Sequence, residues 1–454
     1  MPRVRTLFIC TECGGESPRW EGQCPHCSAW NSLVEERVSP PARGERFDRG
    51  SLAPARPLSL ADIKKSGDRP RWPTGIPDLD FVLGGGIVPG SVVLLGGEPG
   101  TGKSTLLLQV SAHLAASGRT VLYVSGEESG SQVKLRAQRL DEPTDRVLIL
   151  AETAVEGVVD RLADIDPDVL IVDSIQTLYT RRLDSAPGSI AHVREVAAGL
   201  QSLAKSREIA MFIVGHVTKD GGLAGPKALE HIVDVVLYLE SPTGLDYRII
   251  RATKNRFGAA DEIAVFRMSA AGLKSVANPS ALFLQSRQHG ASGSAVAVAL
   301  EGSRPVLVEV QALTTRSVYG TPQRVATGFD NRRLALLLAV LERRAGFRAS
   351  DLDVFLNVVG GLRLTEPAAD LAVAAALASA IRDRAIDAGA AFVGELGLGG
   401  EIRAVSQLER RLAECGRLDF ERVYVSRSSK PTVKNSVEAI AVENIAQLVD
   451  ELFS

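Results

Sequence analysis

One short stretch of the chain carries residues whose types and spacing suit the binding of phosphate groups. It runs Gly97-Glu98-Pro99-Gly100-Thr101-Gly102-Lys103-Ser104 and fits the pattern G-x-x-x-x-G-K-[ST]. The apolar run Val92–Leu95 before it predicts a buried strand, and apolar residues at helical spacing after it predict a helix over residues 105–116. A strand, a glycine loop and a helix N-terminus together place backbone N–H groups around phosphate oxygens. A chance glycine-rich turn is the competing interpretation.

The loop and a nearby strand end supply further groups that nucleotide hydrolysis needs. We expect Lys103 to reach the β- and γ-phosphates and Ser104 to hold Mg²⁺. Asp173 ends the apolar run Val169–Val172 and is expected to hold the same ion, directly or through water. The predicted cofactors are ATP or ADP with Mg²⁺. The predicted binding residues are Gly97, Glu98, Pro99, Gly100, Thr101, Gly102, Lys103, Ser104, Thr105 and Asp173.

Two carboxylates follow another apolar run, in the stretch Tyr123-Val124-Ser125-Gly126-Glu127-Glu128. Hydrolysis needs a group that positions or deprotonates the attacking water. We assign that catalytic role to Glu127, with Glu128 as the second choice. The alternative is that these acids only stabilise the N-terminus of a helix. A later strand ends at Gly215-His216, where a polar side chain suits sensing of the γ-phosphate and relay into the loop at residues 221–227.

The cysteines near the N-terminus have the spacing of a metal site. Cys10 and Cys13 form one C-x-x-C pair, and Cys24 and Cys27 form a second. Two such pairs can give four thiolates to one tetrahedral Zn²⁺. A disulfide or a redox C-x-x-C are the alternatives, and the latter requires a βαβ context that is missing here. Cysteines used in this way indicate a reducing compartment, so we expect a cytoplasmic protein.

Composition and charge narrow the class of protein. The chain has 454 residues, of which 45% are hydrophobic and 23% charged, and its net charge is −2. These values are ordinary for a globular protein, so any basic surface for nucleic acid must be local. No run approaches the roughly 20 apolar residues of a membrane span. The N-terminus lacks the apolar segment of a secretory signal, and we expect no membrane partner.

The sequence pattern predicts three folded parts and a linker. Residues 1–30 hold the paired cysteines, and residues 31–71 are rich in Pro, Arg, Ser and Gly, as linkers are. Across residues 72–270, short apolar runs alternate with helical patterns, which predicts an α/β domain with a mainly parallel sheet. Nucleotide should bind at the carboxyl ends of its strands. Residues 271–454 differ in character, with alanine- and leucine-rich segments between strand-like runs.

Further motifs give these parts a family resemblance. The run Thr74-Gly75-Ile76-Pro77-Asp78-Leu79-Asp80, followed by Leu83-Gly84-Gly85-Gly86 and the phosphate loop, resembles the RecA-like ATPase superfamily. A narrower mark is Lys254-Asn255-Arg256-Phe257-Gly258, which with the N-terminal cysteines is similar to the bacterial RadA (also called Sms) family over the whole chain. The resemblance implies a RecA-like P-loop ATPase core, a small zinc ribbon and a C-terminal α+β domain like that of Lon protease.

The resemblance also implies an activity and partners. Members of that family are DNA-stimulated ATPases that assemble as rings, which we expect to be hexamers here. They bind single-stranded and branched DNA and promote branch migration in intermediates made by the recombinase RecA. The resemblance assigns to Lys254 and Arg256 a catalytic role on the ATP of a neighbouring subunit, like that of an arginine finger. The alternative is a solvated turn built on Asn255 and Gly258.

Loops that follow strands at the nucleotide end face DNA in rings of the RecA-like type. By this resemblance we expect phosphate contacts, with salt-dependent affinity, from Arg181, Arg182 and Lys227. Isolated arginines on loops are more often simply solvated, and that alternative stays open.

The C-terminal part resembles the Lon protease domain at Val358–Gly361 and from Val393 to Arg403. A Ser–Lys peptidase needs both nucleophile and base, yet Ala368 follows Pro367 where the serine belongs, and we assign Arg411 to the place of the lysine. We therefore expect no peptidase activity, and instead an assembly scaffold with a DNA-binding face. Positive charge is concentrated in one segment, although an ion-laced helix surface is the alternative: Arg316, Arg324, Arg332, Arg333, Arg343, Arg344 and Arg348.

Taken together, the sequence predicts a DNA-dependent ATPase that processes recombination intermediates in DNA repair by moving on single-stranded or branched DNA. Two other classes remain as alternatives. One is an ATP-dependent protease, against which Ala368 argues. The other is a nucleotide-gated scaffold that binds DNA or RecA without translocating.

Overall fold

A computed structural model of the chain describes ten stretches of residues, which are 5–10, 16–26, 28–38, 70–183, 186–216, 226–242, 245–288, 290–317, 320–429 and 437–454. The chain divides into two compact units. The first comprises Met1–Ser241 with Asp246–Ser275, and the second comprises Pro242–Leu245 with Val276–Ser454.

The first unit begins with a small antiparallel sheet of the order β2-β1-β3. Its strands are β1 (Arg5–Cys10), β2 (Glu16–Ser17) and β3 (Leu33–Val38). Among the described residues, its buried apolar cluster consists of Cys10, Cys24 and Leu33, with Phe8 packed against it. A core this small does not usually hold a sheet together unless a metal or a disulfide supports it.

A nine-stranded sheet forms the centre of the first unit, in the order β12-β11-β10-β9-β4-β8-β7-β5-β6. Its strands are β4 (Val92–Gly97), β5 (Val121–Ser125), β6 (Leu148–Ala151), β7 (Val169–Asp173), β8 (Ala210–His216), β9 (Val235–Glu240), β10 (Tyr247–Asn255), β11 (Ile263–Ser269) and β12 (Gly272–Ser275). Strands β4 to β9 are parallel, and β10, β11 and β12 extend the sheet, each antiparallel to the strand before it.

Helices cover both faces of the parallel part of this sheet. They are α1 (Pro77–Val82), α2 (Lys103–Ala116), α3 (Gly130–Ala137), α4 (Val155–Ile165) and α5 (Ile190–Arg207), with a short 3₁₀ turn at Pro226–Ala228. All residues of β4, β5 and β7 are buried, and a separate apolar cluster lies on each face. Strands buried on both faces are continuous apolar runs, which is why sequence alone located them.

These features confirm the predicted α/β core with its mainly parallel sheet. The departure is at β10, which is antiparallel to β9. Only residues 241–246 join these two strands, and a parallel connection needs a dozen residues or more. The short connection therefore reverses the chain, and it sends the end of β10 toward the start of β9.

The second unit contains a seven-stranded mixed sheet of the order β15-β16-β14-β13-β17-β20-β21 and a two-stranded ribbon, β18-β19. Its strands are β13 (Ser294–Glu301), β14 (Arg304–Arg316), β15 (Arg324–Thr327), β16 (Leu352–Val358), β17 (Ala390–Val393), β18 (Glu395–Leu396), β19 (Ile402–Arg403), β20 (Arg422–Ser426) and β21 (Glu438–Val442).

The described residues of this second unit form five helices: α6 (Pro279–Leu284), α7 (Asn331–Ala345), α8 (Asp370–Arg382), α9 (Leu408–Arg417) and α10 (Ile445–Phe453). Short 3₁₀ turns lie at Val359–Gly361 and Pro367–Ala369. Helix α8 is alanine-rich and almost wholly buried, so it lies close against β13 and β14. Within the described stretches of both units, no helix is long and apolar enough to cross a membrane.

Candidate active site

The phosphate loop lies between β4 and α2, as the sequence predicts. Three of its glycines, Gly97, Gly100 and Gly102, have positive φ angles of 153°, 77° and 106°. At Gly97 a Cβ atom would lie 2.4 Å from the carbonyl oxygen of Leu239, so no larger residue fits there. Glu98, Pro99 and Gly100 form the exposed crest of the loop. The loop is thus shaped by its glycines and open to solvent where a ligand would enter.

The side chain of Lys103 is buried beneath this loop. Its Nζ atom donates hydrogen bonds to the carbonyls of Gly97 (2.9 Å) and Glu98 (2.8 Å). Burial lowers the pKa of Lys103 to about 8, although the nearby charges of Asp173 and Glu127 act in the opposite direction. Ser104 and Thr105 follow in the first turn of α2. A cation under a glycine loop, next to the N–H groups of a helix N-terminus, fits a nucleotide phosphate.

Asp173 lies at the carboxyl end of β7, close enough to Lys103 for their charges to interact. Its Oδ2 atom accepts a hydrogen bond from the hydroxyl of Tyr123 at 2.5 Å. Burial, and then the charge of Asp173, raise the pKa of Tyr123 well above its usual value, so this phenol remains a donor. An anchored carboxylate beside the phosphate loop suits Mg²⁺, which prefers oxygen ligands.

Glu127 and Glu128 are adjacent in sequence but have different partners. Glu127 Oε1 accepts a hydrogen bond from the hydroxyl of Ser174 (2.6 Å) and lies 3.2 Å from His216 Nε2. Glu128 instead pairs with Arg136 on α3. Of the two acids, Glu127 is therefore the one that lies near Lys103 and Asp173. Its charge, like that of Asp173, acts to raise the pKa of Lys103.

His216 ends β8 directly beside Gly97, with which it is paired across the sheet. Burial, and then the charge of Lys103, lower the pKa of His216, so its imidazole is neutral near neutral pH. Its Nδ1 atom is buried and has no hydrogen-bond partner within the described part of the chain. This places a neutral imidazole next to Gly97 at the start of the phosphate loop, with its Nε2 atom beside Glu127.

The cations of the Lys-Asn-Arg-Phe-Gly motif lie elsewhere on the sheet. Lys254 Nζ donates to the carbonyls of Glu230 (2.5 Å) and Val233 (2.8 Å), which precede β9. Burial, and then the charge of Arg256, lower the pKa of Lys254. Arg256 is 3.4 Å from Asp234 and more than half exposed. Both cations are therefore at the edge where β4 and β9 begin, and the phosphate loop is at the opposite edge.

The three residues expected to contact DNA follow strands of the parallel sheet. Arg181 and Arg182 lie in the turn after β7, whose backbone is held by bonds to Glu156 and Thr180. Lys227 is exposed in the 3₁₀ turn after β8. Most of the loop that precedes it, residues 217–225, lies outside the described residues.

Only half of the expected zinc ligands can be placed. Cys10, at the end of β1, and Cys24, between β2 and β3, belong to one buried cluster, and the backbone N–H of His26 lies 3.4 Å from Cys24 Sγ. Cys13 and Cys27 lie outside the described residues, and within the described part no group of three metal-ligating side chains occurs. The buried thiol pair and its amide donor fit one half of a metal site.

In the second unit, the two residues expected at protease-like positions are both buried, and one of them, Arg411, forms an ion pair. Ala368 is buried in the turn at Pro367–Ala369. Arg411, fully buried on α9, pairs with Glu366 and donates to the carbonyl of Ser406 at 3.1 Å. A guanidinium remains protonated and cannot act as a base. Arg333, one of the clustered arginines, is likewise bound to buried Asp370 at 2.6 Å.

Comparisons with known proteins identify the family. The AAA domain model matches residues 67–222, and a model described as a rubredoxin metal binding domain matches residues 8–35. The chain is 46% identical to DNA repair protein RadA of Halalkalibacterium halodurans, with 99% of each chain covered. It is 46% identical to DNA repair protein RadA of Bacillus subtilis, with 98% of each covered. The protein of that name from Streptococcus pyogenes serotype M1 is 47% identical over the full length of both.

The chain belongs to the RadA family of DNA repair proteins. The resemblance inferred from the motifs is thereby confirmed, together with an ATPase domain and a metal-binding zinc ribbon. As a RadA-family member with an AAA domain, the chain is an ATP-hydrolysing enzyme.

Several residues of this RadA-family site were not predicted from sequence. Tyr123 is the partner of Asp173, Ser174 is a partner of Glu127, and Asp234 lies beside Arg256. Each is a polar residue next to or inside an apolar strand run. That position is a weak signal, and it would have been useful only once the strand order was known.

Proposed function

We propose that the chain hydrolyses ATP at the phosphate loop with help from a second copy of itself. In this mechanism Lys103 binds the β- and γ-phosphates, while Ser104 and Asp173 are the residues that would hold Mg²⁺. When bound, Mg²⁺ neutralises charge on the phosphates. Glu127 accepts a proton from the attacking water. Its position near Lys103 and His216 supports this role for Glu127 rather than for Glu128.

The observation that carries the proposal is the separation of Lys254 and Arg256 from their own phosphate loop. Arg256 donates its backbone N–H to Asp234, and Asp234 donates to Val92, the first residue of β4. Gly97 is five residues farther along that strand, which is about 17 Å at the rise of an extended chain. Arg256 faces Asp234 at the near end, and Lys254 is bound to carbonyls that precede β9. Neither cation can reach the loop of its own chain.

The sheet carries Lys254 and Arg256 at one end of its strands and, at the other end, a phosphate site that lacks these cations. This arrangement suits head-to-tail assembly. In such an assembly each copy offers Lys254 and Arg256 to the next copy, where they would stabilise transition-state charge as arginine fingers do. A head-to-tail interface that closes generates a ring. We propose a hexamer, as the family resemblance implies, with hydrolysis that depends on assembly.

We propose that DNA binds to this ring and regulates its ATP hydrolysis. The chain belongs to a family of DNA repair proteins, and Arg181, Arg182 and Lys227 follow strands β7 and β8, which also carry Asp173 and His216 at their ends. We propose that single-stranded or branched DNA binds these loops, stimulates hydrolysis and is moved by it. In the cell this activity would promote branch migration of strand exchange begun by RecA.

The other parts of the chain have supporting roles in this proposal. Cys10, Cys13, Cys24 and Cys27 would hold one structural Zn²⁺. The protease-like unit, with Ala368 and the Arg411–Glu366 ion pair, would serve as a scaffold without peptidase activity. We place the domain limits at residues 1–30, 31–71, 72–270 and 271–454.

A mixing experiment tests the shared site. Lys103→Ala removes the cation of the phosphate loop and keeps Lys254 and Arg256. Arg256→Ala removes Arg256 and keeps the phosphate loop intact. Each variant alone should be inactive in steady-state ATP hydrolysis with single-stranded DNA. In an equal mixture, about one interface in four joins an intact loop to an intact Arg256, so about a quarter of the wild-type rate should return. Arg267→Ala, at an exposed arginine on β11, is the matched control and should hydrolyse ATP normally.

The outcomes separate the rival functions. An Arg256→Ala protein that is active alone, or a mixture of two inactive variants that stays inactive, would refute the shared site. Hydrolysis that is indifferent to DNA in the wild-type protein would favour a nucleotide-gated scaffold. A Lys254→Ala protein that binds DNA as tightly as wild type but no longer moves strands would support the motor.

A further inference from the structure

Ser174, the residue after Asp173, has a buried hydroxyl directed at the candidate catalytic acid. Its side chain is fully buried, and its Oγ atom donates to Glu127 Oε1 at 2.6 Å. The two residues are 47 positions apart in sequence and follow the adjacent strands β7 and β5. A short bond from a hydroxyl to a carboxylate is among the stronger kinds of hydrogen bond in proteins.

Hydrogen bonds of the surrounding backbone hold Ser174 and Glu127 in this position. The N–H of Gly126 donates to the carbonyl of Asp173 at 2.8 Å, so the turns after β5 and β7 are joined directly. The hydroxyl of Thr177 donates to the carbonyl of Ser174 at 2.8 Å. A Cβ atom on Gly126 would lie 2.0 Å from that same hydroxyl, so only glycine allows the two turns to approach so closely. Ser174 is therefore fixed on both sides before any ligand binds.

Two side chains contact the same carboxylate oxygen of Glu127. Ser174 Oγ and His216 Nε2 each approach Oε1, from β7 and β8 respectively. Within the described part of the chain this leaves Oε2 as the oxygen available to a water molecule. Orientation matters because Glu127 is nearly half exposed and its side chain would otherwise sample several rotamers.

We propose that Ser174 is a positioning residue for ATP hydrolysis: its hydroxyl fixes Glu127 through Oε1 and so turns Oε2 toward the attacking water. The inference rests on the proposed role of Glu127 and adds to it a second residue that touches neither the nucleotide nor the water. The charged and titratable groups that face Glu127 are Lys103 from α2, Asp173 from β7 and His216 from β8. His216 already contacts Oε1 from its own side when Ser174 is present, so it cannot also take the place of the Ser174 hydroxyl.

The test is to remove the hydroxyl and leave the rest of the site intact. In Ser174→Ala, kcat for ATP should fall about 10- to 100-fold, the cost of a misplaced catalytic group. The dissociation constant for a fluorescent ADP analogue should stay within about twofold of wild type, because no phosphate contact is lost. Ser111→Ala is the matched control, since Ser111 is an equally buried serine on α2 that bonds only within its helix. It should leave both values unchanged.

A double-mutant cycle distinguishes positioning from a general structural role. If Ser174 acts through Glu127, Ser174→Ala should slow the residual single-turnover hydrolysis of Glu127→Gln by less than twofold. An equal loss of rate in the Glu127→Gln background, or a Ser174→Ala protein with the kcat of the Ser111→Ala control, would overturn the inference. A Glu127→Gln protein with the wild-type rate would instead refute the proposed role of Glu127 in hydrolysis, and the inference with it.

Discussion

Raising the pH above 8 should weaken nucleotide binding, because Lys103 must be charged to attract phosphate oxygens. Burial lowers the pKa of Lys103 from 10.5 to about 8 in the nucleotide-free chain, and the charges of Asp173 and Glu127 only partly offset it. At pH 9, about one loop in eleven would then carry an ammonium group. The apparent dissociation constant for ATP should therefore rise about tenfold for each pH unit above 8.

The stability of the nucleotide-free chain should change in the opposite direction over the same range. The folded-state pKa lies below the unfolded value, so between about pH 8 and 10.5 the unfolded chain binds more protons. The contribution of Lys103 to the free energy of unfolding therefore rises with pH in that window. The difference between the two pKa values corresponds to about 3 kcal/mol. At pH 7, Lys103→Met should thus stabilise the nucleotide-free chain by up to that amount, while it abolishes tight nucleotide binding.

Two measurements on three proteins check this reasoning. Equilibrium titration with a fluorescent ATP analogue at pH 7, 8 and 9, at constant Mg²⁺, gives the affinity, and thermal unfolding without nucleotide gives the stability. Lys103→Arg is the control, because a guanidinium stays charged throughout this range. Its affinity should be constant where that of wild type falls. Wild-type affinity that stays constant to pH 9, in parallel with Lys103→Arg, would show that Lys103 keeps its charge and would refute the argument.

Three further predictions concern other parts of the chain. Tyr123→Phe removes the hydroxyl bound to Asp173, so the Mg²⁺ concentration for half-maximal hydrolysis should rise several-fold, and an unchanged Mg²⁺ dependence would count against Asp173 as a ligand. Cys24→Ala should lose the bound zinc, and a full equivalent of metal by elemental analysis would contradict the four-thiolate site. Arg411→Ala leaves Glu366 without its buried cation, so thermal unfolding should show a loss of about 3–5 kcal/mol in the second unit. An Arg411→Ala protein as stable as wild type would show that the pair is dispensable.

The parts of the site that sequence predicted are those that local pattern determines. The runs before Gly97 and Asp173 are continuous apolar strands, and the residue of interest follows each run within two positions. A glycine loop between strand and helix needs no distant partner to be identified. The selection of Glu127 over Glu128, in contrast, depends on which strand lies beside which. Ser174 and His216 approach Glu127 from β7 and β8, and the order of these strands in the sheet is a tertiary property.

The Lys-Asn-Arg-Phe-Gly motif shows why sequence could not choose between a turn and a catalytic finger. Asn255 and Gly258 do form a turn: the side chain of Asn255 bonds the N–H of Phe257 at 2.9 Å and the carbonyl of Val82 at 3.1 Å. A Cβ atom on Gly258 would lie 2.8 Å from Gly84, so this turn packs directly on the Leu83-Gly84-Gly85-Gly86 segment. The two interpretations are therefore compatible. The asparagine and glycine hold the motif on its own chain, and Arg256 lies there beside Asp234 with more than half of its side chain exposed, as the proposed role toward a neighbouring copy requires.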